Sequence, residues 1–174
     1  MKAIVTPSIP TEFTGEWYAL QTLPRAEKKL AAWLDRHALP HFLPLRRKLH
    51  VYASKTATFG VPLFSGYVFA SFSHAERTNV FRSNAIVRVL RAPKPDALCV
   101  ELDHIRRALE AEAPLEPYDF VKEGQRVRIT SGNWSGVEGT VVRVAGAVRV
   151  VLGIDFLGTA VAFEVDSGLL TSVC

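Results

Sequence analysis

Sulfur is scarce in this 174-residue sequence, which has one methionine and two cysteines, Cys99 and Cys174. Two cysteines cannot staple a disulfide scaffold, so a reduced, cytoplasmic chain is expected. No apolar run approaches the ~20 residues of a membrane helix. The opening MKAIVTPSIPTEF also lacks the apolar core of a signal peptide. These absences predict a soluble protein with no membrane partner. The five histidines (37, 41, 50, 74 and 104) are scattered without metal-ligand spacing, so neither a metal site nor a cofactor is expected. There is no G-x-S-x-G, no Walker loop and no G-x-G-x-x-G. Gly132, Gly136 and Gly139 lack the Lys-Ser/Thr of a phosphate loop and read as a turn between strands. Glu101 and Asp103 adjoin Arg106 and Arg107 on an expected helix, where i,i+4 ion pairs account for them. The chain reads as a binding protein, not an enzyme.

Hydrophobic residues make up 48% and charged residues 22%, which excludes an intrinsically disordered chain. Charge is unevenly placed. Residues 17–100 carry 13 Lys+Arg against 4 Asp+Glu, whereas residues 113–174 carry 5 against 7. A basic first half beside a faintly acidic second half predicts two modules with different partners, the basic one suited to phosphate or an acidic protein surface.

Residues 1–16 show no periodicity and read as a flexible lead-in. Trp17-Tyr18-Ala19-Leu20-Gln21 is a buried-strand pattern. After Pro24, an apolar stripe at Ala26, Leu30, Trp33, Leu34 and His37 predicts a helix that Pro40 stops. The basic stretch from Arg46 to Tyr52 leads to a polar hairpin tip at 53–59. An aromatic, β-branched strand follows at 63–72, then a short helix at about 74–82 and a strand at 86–90. Asp96 is placed to cap a helix covering Leu98, Leu102, Ile105 and Leu109. This order predicts an α+β sandwich over residues 17–112, a mainly antiparallel sheet with flanking helices. Residues 113–119 (Ala-Pro-Leu-Glu-Pro onward) read as a linker. Beyond them proline vanishes and 8 of the 11 glycines occur. Short Val/Ile runs at 126–129, 139–144, 148–154 and 160–165 predict a small, curved β-barrel over residues 120–174. The 13 Val or Ile residues between 121 and 165, with no glycine-free gap longer than seven residues, favour strands over helices there.

Two sets of motifs carry a resemblance. The first half holds Trp17-Tyr18-Ala19-Leu20-Gln21-Thr22, Leu63-Phe64-Ser65-Gly66-Tyr67-Val68-Phe69 and Ile86-Val87-Arg88-Val89-Leu90. The second holds Gly124-Gln125-Arg126-Val127-Arg128-Ile129-Thr130, followed by Gly132, Gly136, Glu138 and Gly139. In this order they resemble the NusG family of transcription elongation factors, with an N-terminal domain followed by a KOW domain. The resemblance implies a monomeric factor of transcription elongation and antitermination that rides on RNA polymerase. Its N-terminal domain would grip the polymerase clamp helices through a hydrophobic depression, to which Gln21, Tyr67 and Phe69 correspond. Alternation places Tyr67 and Phe69 on one sheet face, as a contact patch or as core beneath a helix. The resemblance also places Arg46, Arg47, Lys48 and Lys55 on a hairpin. Arg77, Thr78, Asn79 and Arg82 fall on the helix that in relatives faces the non-template DNA strand; a merely solvated helix face is the alternative. In the KOW module, Trp134 and Val137, with Phe156 and Leu157, correspond to the rim that in relatives recruits ribosomal protein S10 or Rho. The Leu23-Pro24-Arg25-Ala26-Glu27 and Ala162-Phe163-Glu164-Val165-Asp166 segments look more like operon-specific antiterminators related to RfaH. A ribosome-associated KOW module that binds RNA or protein is the other reading, and it explains only the second half.

Overall fold

The computed structural model describes residues 10–52, 55–120 and 124–173. The first part of the expected lead-in, the extreme hairpin tip at 53–54, residues 121–123 and Cys174 therefore lie outside the described residues. Two compact units are present, residues 1–95 and 96–174. Each is a mixture of helix and antiparallel sheet.

In the first unit, strands β1 (Trp17–Thr22), β2 (His41–Phe42), β5 (Tyr67–Ser71) and β6 (Ile86–Arg91) form a four-stranded sheet in the order β2-β5-β1-β6. All three ladders are antiparallel. On one face, Leu20, Val68 and Ala70 pack with Leu30, Ala31 and Leu34 of helix α1 (Glu27–Arg36) and Val80 of helix α2 (Arg77–Phe81). Burying each large aliphatic side chain there contributes about 1.5–3 kcal/mol. The opposite face is aromatic. Phe13 meets Trp17 and Phe42 edge-on with centroids 4.9 and 5.2 Å apart, and Phe64 meets Phe69 at 5.9 Å. The expected strand at 63–72 is shorter than its composition suggests, because Ser65 and Gly66 turn the chain and Gly66 adopts φ +84°.

Helix α1 ends before the proline expected to stop it. Ala38 takes a left-handed conformation, φ 54°. The Ala38 N–H then donates to Asp35 O (3.0 Å) and the Leu39 N–H to Leu34 O (3.0 Å), closing a Schellman motif. Strands β3 (Leu45–Tyr52) and β4 (Lys55–Pro62) pair only with each other among the described residues. Residues 55–59, expected in a hairpin tip, are thus strand.

The second unit opens with helix α3 (Pro95–Glu110), whose first residue is proline, a position where the missing N–H costs nothing. Asp96 lies in its first turn and is not its cap. Leu98, Leu102, Ile105 and Ala108 are buried. Then come β7 (Glu116–Tyr118), β8 (Gln125–Ile129), β9 (Glu138–Val144), β10 (Ala147–Ile154), β11 (Thr159–Glu164) and β12 (Leu170–Ser172). They form one antiparallel sheet ordered β12-β8-β9-β10-β11-β7. Among the described residues no ladder joins β12 to β7 or β11, so this is an open sheet, not the closed barrel expected. The segment read as a linker contributes its edge strand β7. Gly139 sits where a Cβ would come within 2.7 Å of Val150 Cγ1, so only glycine lets β9 approach β10 there.

Ala38 is exposed, and a left-handed non-glycine residue costs about 1–2 kcal/mol. Ala38→Gly is expected to raise stability by about 0.5 kcal/mol, net of the entropy glycine adds to the unfolded chain. A higher urea midpoint at unchanged m-value checks it.

Candidate functional site

The register of the first sheet sets three residues in a row. Gln21 lies opposite Tyr67 on one side and opposite Arg88 on the other. Directly paired residues share a face, so Arg88, Gln21 and Tyr67 cross three strands side by side. Gln21 and Tyr67 are half-buried and Arg88 is exposed. Phe69 shares that face but stands opposite Ala19, with 0% exposure. Of the three residues that the resemblance matches to a hydrophobic depression, Gln21 and Tyr67 are accessible and Phe69 is buried. Arg88 was not singled out from the sequence. Its place depends on the β1–β6 register, which no local pattern announces.

The basic residues separate into two places. On α2, Arg77 and Thr78 are exposed, as is Arg82 at its C-cap, while Asn79 is half-buried and its carbonyl accepts from Trp33 Nε1 at 3.3 Å, pinning α2 to α1. Arg77 also lies over the Phe81 ring at 5.7 Å. Beside it, an open groove is lined by Glu16, Tyr18, Phe72, His74, Arg77 and Arg91. Tyr18 stacks on Phe72 with centroids 4.7 Å apart, and Arg91 pairs with Glu16 at 2.6 Å. Burial, and then the neighbouring Glu16, push the Tyr18 hydroxyl above its ordinary value. Arg46, Arg47 and Lys48 lie away from α2 in sequence, on β3; the side chain of Lys55 lies outside the described ones.

In the second unit, Trp134 is half-buried. Its Nε1 donates to Ala111 O at 3.0 Å and its ring meets Phe163 edge-on at 5.0 Å. Val137 is core, at 1% exposure. Phe156 and Leu157 are half-buried in the 3-10 turn Asp155–Leu157, which Gly158 ends with φ 62°.

The carboxylates of α3 divide differently from expectation. Asp103 binds Arg106 at 2.6 Å and Arg107 at 2.7 Å, and Arg106 also binds Glu110 at 2.7 Å. Glu101 takes no part in this set. It lines a small cavity with His104, Arg126, Glu138 and Asp155, and accepts from the Asp155 N–H at 3.3 Å. Burial, with Asp155 close by, raises the Glu101 carboxyl from 4.5 to about 7. Burial lowers His104, whose Nδ1 faces the Glu138 N–H at 3.2 Å.

The first unit thus presents accessible aromatic and basic side chains on an antiparallel sheet with flanking helices, and the second is built on a six-stranded antiparallel sheet. The family described as transcription termination factor NusG matches residues 15–108. The chain belongs to the NusG family, and with it to the factors of transcription elongation and termination. Comparison with curated proteins gave no match. Among the described residues no helix is long and apolar enough to cross a membrane.

Two outcomes are expected here. Phe69→Ala should cost about 3–5 kcal/mol of stability because the ring is core, whereas Tyr67→Ala should leave the fold intact by circular dichroism. A raised carboxyl holds more protons in the folded state, so the Glu101 contribution is full below about pH 4.5 and is lost as pH rises towards 7. His104 acts oppositely, losing stability as pH falls below 6.5. Relative to the unmodified protein, Glu101→Gln should gain about 1–2 kcal/mol at pH 8, allowing for solvent screening. At pH 4.5 it should gain nothing in urea titrations.

Proposed function

We propose that this protein is a non-catalytic elongation and antitermination factor that binds RNA polymerase through residues 17–112 and recruits a second partner through residues 120–174. The observation that carries the reading is the family match over residues 15–108, which runs across the sheet bearing Gln21 and Tyr67. The polymerase contact, made with the clamp helices, is assigned to Gln21 and Tyr67 with buried Phe69 on the same sheet face, and Arg88 extends the row. The row combines two polar side chains with one aromatic ring, which suits a helical surface that offers both side-chain types. Arg46, Arg47, Lys48, Arg77, Thr78, Asn79 and Arg82 are assigned to the non-template DNA strand, where arginine and lysine meet phosphates.

Residues 120–174 are proposed to be a KOW, SH3-like module. Strands β8 to β11 pair in sequence order and β12 returns beside β8, which supports that topology. Its partner, ribosomal protein S10 or Rho, would meet the rim at Trp134, Phe156 and Leu157, with buried Val137 holding the turn. The cytoplasm is the compartment this work requires.

Affinity capture from a bacterial lysate with the tagged full chain tests the reading. RNA polymerase should be recovered, and Tyr67→Ala should weaken its binding by about 2 kcal/mol, the size of one interface aromatic. Recovery of ribosomes without polymerase would replace this reading with that of a ribosome-associated KOW module.

A further inference from the structure

Among the described residues the β3–β4 ribbon shares no ladder with another strand, and its two faces differ. Its register pairs Arg46 with Val61, Lys48 with Phe59 and His50 with Ala57. These residues share one face. The other face carries Arg47 opposite Gly60, Leu49 opposite Thr58 and Val51 opposite Thr56. The continuous basic run of the sequence is thereby split. Arg46, Lys48 and His50 form one basic row, while Arg47 joins a face dominated by Leu49 and Val51, 67% and 75% exposed. Phe59, directly opposite Lys48, is 44% exposed. Lys48 and His50 are exposed and Arg46 is half-buried.

We infer that single-stranded nucleic acid lies along the Arg46–Lys48–His50 face, with a base stacked on Phe59 and the adjoining phosphates on Lys48 and Arg46. Residues two apart on a strand are about 6.8 Å apart, a stride comparable with that of successive backbone phosphates. Paired side chains across an antiparallel ladder lie about 5 Å apart at Cβ, so the Phe59 ring and the Lys48 ammonium can serve the base and phosphate of one nucleotide. Cations that follow the backbone beside an aromatic platform are the recurrent means of holding single strands. In a duplex the base faces are stacked on one another and offer nothing to Phe59, so the ring selects the unpaired strand. The opposite face has one cation at its base and is otherwise apolar or hydroxylic, with nothing to hold a phosphate chain. The inference rests on the assignment of this hairpin to nucleic acid made above. It narrows that assignment to one face, adds His50 and Phe59, and removes Arg47.

Fluorescence anisotropy of the full chain tests it, with labelled oligodeoxythymidine and oligouridine of about a dozen nucleotides and a mixed-sequence DNA duplex of the same length. Both single strands should bind more tightly than the duplex. Phe59→Ala should weaken single-strand binding about tenfold and leave duplex binding unchanged. Phe59→Leu, which keeps the apolar volume, should lose as much. Lys48→Ala should weaken binding and reduce the slope of log affinity against log salt by about 0.7. Arg47→Ala should change affinity by less than about twofold, since its side chain is on the other face. Arg47→Ala matching Lys48→Ala, an inert Phe59→Leu, or duplex bound as tightly as single strand would overturn the face assignment while nucleic-acid binding stood. Failure of the unmodified chain to bind any of the three probes would overturn both.

Discussion

A single buried carboxylate holds the first unit in register. Glu27, at the start of α1 and 7% exposed, accepts the Gly66 N–H at 2.8 Å, while the Gly66 carbonyl accepts the Thr22 N–H at 2.8 Å. One glycine thus joins the end of β1, the start of α1 and the start of β5. A buried carboxylate is costly unless its lone pairs are satisfied, and a backbone N–H exposed by a tight turn is a suitable donor. Gly66 can offer it because φ +84° is a conformation in which most side chains would be strained. With that junction in place, Gln21 faces Tyr67, and a slip of β1 by one residue would turn Gln21 to the opposite face.

The two faces of the sheet then do different work. The face towards α1 and α2 is aliphatic and closed. The other carries an aromatic layer whose edge is the row of Arg88, Gln21 and Tyr67. Phe69 shows why alternation alone misleads about a binding patch. Two rings of equal parity, two positions apart, differ in exposure because one is opposite Ala19 within the layer and the other is opposite Gln21 at its margin.

In the second unit, α3 and the sheet hold each other through main-chain atoms more than through ion pairs. Trp134 Nε1, His104 Nδ1 and the Glu101 carboxylate each meet a backbone group. The arginines of α3 are spent within the helix. Glu101 and Asp103, two residues apart and alike in composition, therefore have unlike chemistry: one is exposed enough to pair with two arginines, the other is raised by burial beside a like charge.

Local chemistry was legible from the chain alone. The 3.6-residue stripe of α1 and the four glycine-punctuated runs of the second unit appear within a residue or two of where pattern placed them, and the short helix with Arg77 lies inside its expected span but starts three residues later. The first-half motifs that carry the family resemblance lie within the matched residues 15–108. These features are written in neighbouring residues, so periodicity suffices to find them. Helix α1 ended early because Ala38 accepted left-handed strain, which propensity does not foresee. The ribbon's strands extended into the expected tip because pairing with β3 satisfies backbone groups that the polar sequence 55–59 leaves unmarked. Which side chains stand together (Arg88 beside Gln21, Phe59 beside Lys48, Tyr18 with Arg91 around one groove) was decided by register and by chain reversals many residues apart. A sequence states which residues a strand contains; only the pairing of strands states which of them share a face.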